Sequence, residues 1–308
     1  MRRRSLGNTG LSVSEIGFGC GPTAGLMVKG DARLRRDAVA RALDLGIDYF
    51  DTAPVYGDTL SERHLGEALR ALDAKPFVAT KIALELGDLG DIAGAVTRSV
   101  EASVERLGLR PLALVQLHNR VGAQRAVKAD IGTGALLTVD DVLGPHGVVP
   151  ALERLRARGL VQHLGCCAYG GEATAIAQLI DSGAFATILV HYSLLNPSAW
   201  SPMPVPRDYG GIGARAVAAG MGAIALRVLD GGALLGAERA PALAALAAES
   251  GQSLPALALR YALSNEQIAT ALVGFSDSAQ IEAAHAAAMA GLLPMTFLAR
   301  IEALQRRG

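Results

Sequence analysis

Two hydrophobic periods alternate along this chain. Short apolar runs rich in β-branched or aromatic residues stop abruptly, and each is followed by a stretch where apolar residues recur every three or four positions. The clearest run is Gly-Ile-Asp-Tyr-Phe-Asp-Thr-Ala-Pro-Val-Tyr, from Gly46 to Tyr56. Ile47, Tyr49 and Phe50 give it strand character, Gly46 breaks what precedes it, and Pro54 forbids continuation past Ala53. Upstream, Leu34, Ala38, Ala42 and Leu45 predict a helix, and the Asn8-Thr9-Gly10 turn predicts a hairpin followed by, or including, a first strand over 13–18.

The same alternation continues to the end. Ser61 is placed to cap a helix with Glu62 in its first turn and Leu65, Leu69 and Leu72 on one face. A strand over 77–81 follows, then a helix marked by Ile92, Val96, Val100, Val104 and Leu107 and stopped by Gly108, then a strand over Leu112–Leu117. Residues 119–147 show little periodicity and read as a long loop. Beyond it, strands are expected at 162–169, 186–192, 222–228 and 269–273. Helices are expected at 149–160, 173–180, 213–219, 240–249, 254–262, 278–290 and 297–305, and a second, Pro-rich loop at 197–206. Eight strands alternating with helices point to a closed (β/α)₈ TIM barrel with an N-terminal β-hairpin and extra C-terminal helices. No shift in composition marks a second domain, so residues 1–308 are expected to form one barrel domain.

Composition narrows the classes. With 51% hydrophobic and 19% charged residues the chain can bury a large core, and 29 basic residues balance 29 acidic ones. No global field favours nucleic acid or an anionic membrane, so a small-molecule partner is expected. Three cysteines, two of them adjacent as Cys166 and Cys167, suit neither a disulfide framework nor a CxxC site, which places the chain in a reducing, cytoplasmic setting. No apolar run has signal-peptide or membrane-spanning character. Gly17, Gly19 and Gly21 invite a dinucleotide-fingerprint reading, which fails because Pro22 and the following residues do not continue G-x-G-x-x-G. The histidines show no HxH or HExxH spacing, and no metal site is expected.

Three successive strands close on an ionisable residue: Asp51, Lys81 and His118. In a parallel barrel the carboxyl ends of neighbouring strands converge on one mouth, and Tyr56, on the loop leaving its strand, can lean into the same space. A lysine beside a phenol favours the phenolate, so the Tyr56 pKa is expected to fall, with Asp51 holding the lysine charged. His118 would orient a carbonyl or share the proton relay. A tyrosine acid suits reduction of a carbonyl, for which a cofactor must supply the hydride. Singly, each of the four residues has an ordinary structural explanation, and it is their placement at successive strand ends that points to chemistry.

Four motifs, Asp51-Thr-Ala-x-x-Tyr56-Gly57, Ser61-Glu62 with Leu65-Gly66, Thr80-Lys81 and Leu117-His118, resemble the aldo-keto reductases. Leu6-Gly-x-Thr-Gly-Leu-x-Val-Ser14 and Gly274-Phe-Ser-Asp-Ser-Ala-Gln280 are similar to the family's opening hairpin and cofactor-phosphate segment. The resemblance implies an NAD(P)-dependent oxidoreductase that interconverts an aldehyde, ketone or sugar and an alcohol, with Tyr56 as general acid or base tuned by Lys81 and Asp51, and His118 orienting the substrate. It implies a cofactor site drawn from Gly19, Cys20, Asp51, Cys167, Ala168, Leu189, Leu226, Arg227, Leu229, Gly274, Phe275, Ser276 and Gln280. Family habit favours NADP. Residues 274–280 contain no lysine or arginine to clamp a 2′-phosphate, which leaves NAD open.

The chain departs from the family pattern where Cys167, Ala168 and Leu189 replace the Ser-Asn and Gln that hold the nicotinamide carboxamide. Leu226 or Arg227 stands in place of a ring-stacking tyrosine, and Ala284 in place of an asparagine. These departures motivate an alternative, a barrel with a weakened nicotinamide site that serves as a binding or regulatory protein or as a non-redox isomerase or lyase. Cys166 and Cys167 read as pocket-wall or core residues without thiolate character. Trp200 is expected either to line a substrate pocket or to cover a barrel edge, Arg227 to pair with cofactor phosphate, Asp230 or a substrate anion, and residues 125–128 to form a solvated loop face.

Overall fold

The computed structural model of the protein describes residues 1–126, 134–205, 207–236, 238 and 240–306. After a hairpin of β1 (Arg3–Ser5) and β2 (Ser12–Ser14) come β3 (Ile16–Gly19), β4 (Tyr49–Asp51), β5 (Phe77–Ile82) and β6 (Leu112–Leu117), then a short pair, β7 (Val121–Gly122) and β8 (Leu137–Thr138). The remaining strands are β9 (Val161–Cys167), β10 (Thr187–His191), β11 (Gly222–Leu226) and β12 (Ile268–Gly274). Strands β3, β4, β5, β6, β9, β10, β11 and β12 pair in parallel and close into a barrel. The helices are α1 (Leu26–Lys29), α2 (Ala32–Asp44), α3 (Leu60–Ala71), α4 (Ile92–Leu107), α5 (Val139–Leu143), α6 (Val148–Ala157), α7 (Ala173–Asp181), α8 (Ile212–Ala218), α9 (Pro241–Glu249), α10 (Leu254–Ser264), α11 (Ser278–Met289) and α12 (Met295–Gln305). None of the described helices is long and apolar enough to cross a membrane.

Strand alternation divides the core in two. Residues pointing outward, such as Ile16, Phe18, Phe50, Val78, Val115, Ile188 and Ala225, join the helices in the large outer layer. Residues pointing inward, including Tyr49, Ala79, Leu114, Cys167, Leu189 and Ile224, fill the barrel itself. Leu6 and Val13 belong to that inner cluster. Asn8 N–H donates to the Gly220 carbonyl at 2.9 Å, ahead of β11, so the hairpin floors the barrel at the amino ends of its strands. A floored interior leaves the opposite end, where Asp51, Lys81 and His118 lie, as the open one.

The expected strands appear with ends shifted by up to three residues, and three local expectations change. Residues 119–147 are not a bare loop: β7, β8 and α5 lie within them, the strands being two residues each and too short to leave a period in the sequence. Asn119 ties this excursion to the barrel, accepting from Leu84 N–H and donating to the Leu84 and Ala135 carbonyls, each at 2.8 Å. The expected loop face at 125–128 includes Arg125, which is ion-paired with Asp141, whereas Lys128 lies outside the described residues. Ser61 does not cap α3, because Thr59 occupies that position. Ser61 is instead fully buried, sharing a hydrogen bond with Thr52 Oγ1 at 2.8 Å and donating to the Cys20 carbonyl at 2.9 Å.

Gly66 is where α3 meets α4. A Cβ there would lie 2.3 Å from the Arg106 carbonyl oxygen and 2.9 Å from Leu107 Cα, both backbone atoms that cannot rotate away. Gly66→Ala should cost about 1–3 kcal/mol, as overpacked sites do. Urea unfolding should show a lower midpoint with an unchanged slope, and an unchanged midpoint would mean that the helices separate freely.

Candidate active site

Asp51 ends β4, Lys81 stands near the end of β5, and Gln116 near the end of β6. All three point into the barrel and are buried. The Lys81 ammonium is ion-paired with Asp51 Oδ1 and donates to the Thr52 carbonyl at 2.9 Å. Gln116 Nε2 donates to the other Asp51 oxygen at 3.0 Å. Burying two charges costs several kcal/mol per ion unless each is paired and hydrogen-bonded, and here each has a further partner besides the other. Burial pulls the ammonium pKa down, but attraction to Asp51, and then to Tyr56, more than offsets it, so Lys81 stays charged above its ordinary range.

Tyr56 sits on the loop after β4, held by Tyr56 N–H donating to the Ala53 carbonyl at 3.1 Å. The Lys81 ammonium lies 4.8 Å from the centroid of its ring. His118 follows β6, its ring edge-on to Tyr56 at 5.9 Å between centroids. The four residues expected to meet at the mouth therefore do so. The Tyr56 pKa departs from expectation: burial raises it by more than Lys81 lowers it, and the net shift is upward from 10.0. The phenol is thus a proton donor at neutral pH. His118 is pushed down to about 3, first by burial and then by Lys81, so its imidazole is neutral, and its buried Nδ1 has no hydrogen-bond partner. A neutral ring with one unsatisfied nitrogen beside a phenol is suited to bind a carbonyl or hydroxyl oxygen.

A support lies behind these groups. Glu62 is fully buried on α3, accepting from Thr80 Oγ1 at 2.5 Å and from Arg106 Nε at 2.6 Å. Thr80 precedes Lys81, so Glu62 ties the lysine's strand to α3 and α4. Thr52, Ser61 and the Cys20 carbonyl form a second tie beneath Asp51. Gln116 and Glu62 were not among the expected site residues. The signal for Gln116 was present, since it lies two positions before His118 and so shares its strand face.

The residues expected at a cofactor divide by face. Cys167, Leu189 and Leu226 line the interior beneath the mouth, an apolar wall able to meet the face of a nicotinamide ring. Cys20, Ala168 and Phe275 bury their side chains in the outer layer and can offer a ligand only backbone there, with Ala168 N–H already donating to the Leu189 carbonyl at 2.9 Å. Gly19 pairs with both Asp51 and Gly274, bringing three of the expected positions side by side. Ser276 and Gln280 are linked at the start of α11, Ser276 N–H donating to Gln280 Oε1 at 3.0 Å. Cys167, pushed up to about 11 chiefly by burial, is a thiol, and burial likewise raises Cys166. Trp200 lies away from the mouth, edge-on to Tyr192 and donating to Gln267 Oε1 at 2.5 Å ahead of β12, so it covers the barrel's outer layer.

Arg227 follows β11 in the left-handed region, with φ 56°. Of the three partners expected for it, Asp230 is hydrogen-bonded by His191, with Nε2 and Oδ1 3.1 Å apart. The guanidinium lies over the Tyr169 ring, 4.9 Å from its centroid.

A protein-family model described as the Aldo/keto reductase family matches residues 15–306. The chain belongs to the aldo/keto reductase family. It is 31% identical over 303 residues to L-galactose dehydrogenase of Arabidopsis thaliana, covering 91% of this chain and 85% of that one. It is 25% identical over 308 residues to D-threo-aldose 1-dehydrogenase of a Pseudomonas species, covering 88% of each chain. In fold it is similar to an aldo-keto reductase from Bacillus halodurans solved in its holo form, with a TM-score of 0.76, 24% identity, and coverage of 99% and 96% of the two chains. Aldo-keto reductases are nicotinamide-dependent oxidoreductases of carbonyls and alcohols, and this membership favours the enzyme over the binding-protein and isomerase alternative. An apolar wall under a mouth that carries a proton donor fits the nicotinamide end of such a cofactor, although Leu189 and the Ala168 side chain supply no donor to its carboxamide.

The depressed His118 pKa also has a signature in stability. Folding holds the imidazole neutral, so its contribution is full above the unfolded value near 6.5 and is lost as pH falls from there toward about 3. Wild type should lose stability through that window in urea titrations, and His118→Gln should lose less. Parallel profiles for the two proteins would mean that His118 protonates freely in the folded state.

Proposed function

We propose that this aldo/keto reductase interconverts the carbonyl and alcohol forms of a small sugar or sugar-like aldehyde, with Tyr56 as general acid in reduction and general base in oxidation. The observation that carries the assignment is the contact of the Tyr56 ring with the buried Lys81 ammonium, itself fixed by Asp51. When bound, the nicotinamide supplies or accepts the hydride. Tyr56 gives a proton to the developing alkoxide, Lys81 stabilises the phenolate left behind, and the neutral His118 orients the reacting oxygen. Two dehydrogenases of sugars among the relatives, L-galactose dehydrogenase and D-threo-aldose 1-dehydrogenase, support a polyhydroxylated substrate. Free, buried cysteines suit a reducing compartment, and we place the enzyme in the cytoplasm.

Gly19, Asp51, Cys167, Leu189 and Leu226 would surround the nicotinamide, Arg227 and Leu229 the middle of the cofactor, and Gly274, Ser276 and Gln280 its adenosine end, with Cys20, Ala168 and Phe275 contributing backbone. Family habit favours NADP. The charge at the adenosine end favours NAD, because residues 274–280 offer no cation and place the Asp277 carboxylate at the cap of α11. On that ground NAD is the cofactor we assign, and kcat/KM should be at least tenfold higher with NADH than with NADPH. A preference for NADPH would reverse the assignment.

Tyr56→Phe should lower kcat by a factor of about 10²–10⁴, the usual contribution of a general acid, while leaving the dissociation constant for NADH within about twofold. Steady-state turnover of a test aldehyde and fluorescence titration of the cofactor measure the two. Undiminished kcat in Tyr56→Phe would remove the phenol from the mechanism.

A further inference from the structure

Above β9, β10 and β11 a second polar cluster stands across the mouth from Tyr56. Its hub is His191, at the end of β10. The two ring nitrogens of His191 meet the Tyr209 hydroxyl at 3.2 Å and Asp230 Oδ1 at 3.1 Å. Tyr209 belongs to the segment between β10 and α8, and Asp230 to the turn after β11, so one imidazole pins two loops. Each pinned residue has an arginine close by in sequence. Arg207 precedes Tyr209 by two positions, and Arg227 accepts at its carbonyl from Asp230 N–H at 2.7 Å.

Both guanidiniums converge on one ring. Their carbons lie 5.3 and 4.9 Å from the centroid of Tyr169, so they can be no farther apart than these two distances laid end to end. Neither makes an ion pair with any described residue, which they share with Arg63, Arg70, Arg110, Arg154 and Arg260, but only these two meet on one ring beside the mouth. The nearby carboxylate, Asp230, is engaged by His191. Two like charges on one half-buried ring repel, and an anion that reaches both relieves that repulsion. Tyr169 also packs against the inner cluster that contains Cys167 and Leu189, so the pair overlooks the same mouth as the catalytic groups.

We propose that Arg207 and Arg227 form a two-guanidinium clamp over Tyr169 that binds an oxyanion carried by a ligand in the barrel mouth, with His191 as the residue that positions both. The planar fork of arginine matches an anion presenting two or more oxygens. That a ligand enters this mouth rests on the oxidoreductase reading. The oxyanion has two sources: the diphosphate of the dinucleotide, or a carboxylate or phosphate on the substrate.

Inorganic pyrophosphate titrated into the full-length protein by calorimetry at low salt tests the clamp without turnover, so a failure of the Tyr56 mechanism would leave this result untouched. Wild type should bind it. Arg207→Ala and Arg227→Ala should each weaken binding at least fivefold and flatten its dependence on salt. His191→Asn should weaken binding while keeping the salt dependence, because both charges remain. Absence of pyrophosphate binding in wild type, or equal binding in the double arginine variant, would overturn the proposal. The source then follows from two further titrations of the double variant. A rise of tenfold or more in the NADH dissociation constant, with pyrophosphate competing, assigns the clamp to the cofactor. An NADH constant within twofold, with KM raised tenfold for succinic semialdehyde and unchanged for butanal, assigns it to the substrate.

Discussion

The mouth of this barrel depends on one buried ion pair. Lys81 and Asp51 project from adjacent strands into the upper layer of a largely apolar interior that holds no other charge among the described inner residues, and neither could stay there without the other. An unpaired ammonium at that depth would lose its proton or unfold its surroundings. The pair is tolerated because its remaining hydrogen-bonding capacity is met, by the Thr52 carbonyl on one side and Gln116 on the other. It also fixes a positive charge beneath Tyr56, which acid–base chemistry by a phenol requires. Stability and chemistry are thus tied to the same two side chains.

The rest of the molecule holds this pair in register. Pairing of Asp51 with both Gly19 and Ala79 sets the height of the carboxylate, and pairing of Lys81 with Gln116 sets that of the ammonium. Behind them Glu62 ties Thr80 to Arg106, and Gly66 lets α3 approach α4 closely. The hairpin closes the far end through Leu6 and Val13. On the opposite rim, His191 holds Tyr209 and Asp230, and thereby two loops that periodicity alone could not place.

Much of this was legible in the chain because barrel strands carry strong signals: short apolar runs, glycine and proline stops, and an ionisable residue at the carboxyl end. Asp51, Tyr56, Lys81 and His118 could be gathered without coordinates, since parallel closure brings successive strand ends together. The balance of forces on each group was less accessible. The Tyr56 pKa rises where proximity to Lys81 alone implied a fall, because burial is a property of the packed site and leaves no mark in the motif. Ser61 reads as a helix cap in sequence, but its hydroxyl is spent on Thr52 and Cys20, a choice made by tertiary packing. The strands within 119–147 are two residues long, below the length at which alternation can be recognised.

The central claim, that Lys81 and Asp51 are tolerated in the barrel only as a pair, is tested most directly by a double-mutant cycle on folding stability with Lys81→Met and Asp51→Leu. Each single variant leaves one buried charge without its partner and should cost about 3–5 kcal/mol, whereas the double variant, with apolar side chains at both positions, should be more stable than either single. Losses that simply add in the double variant would contradict the account, because the two charges would then be held by their surroundings and not by each other.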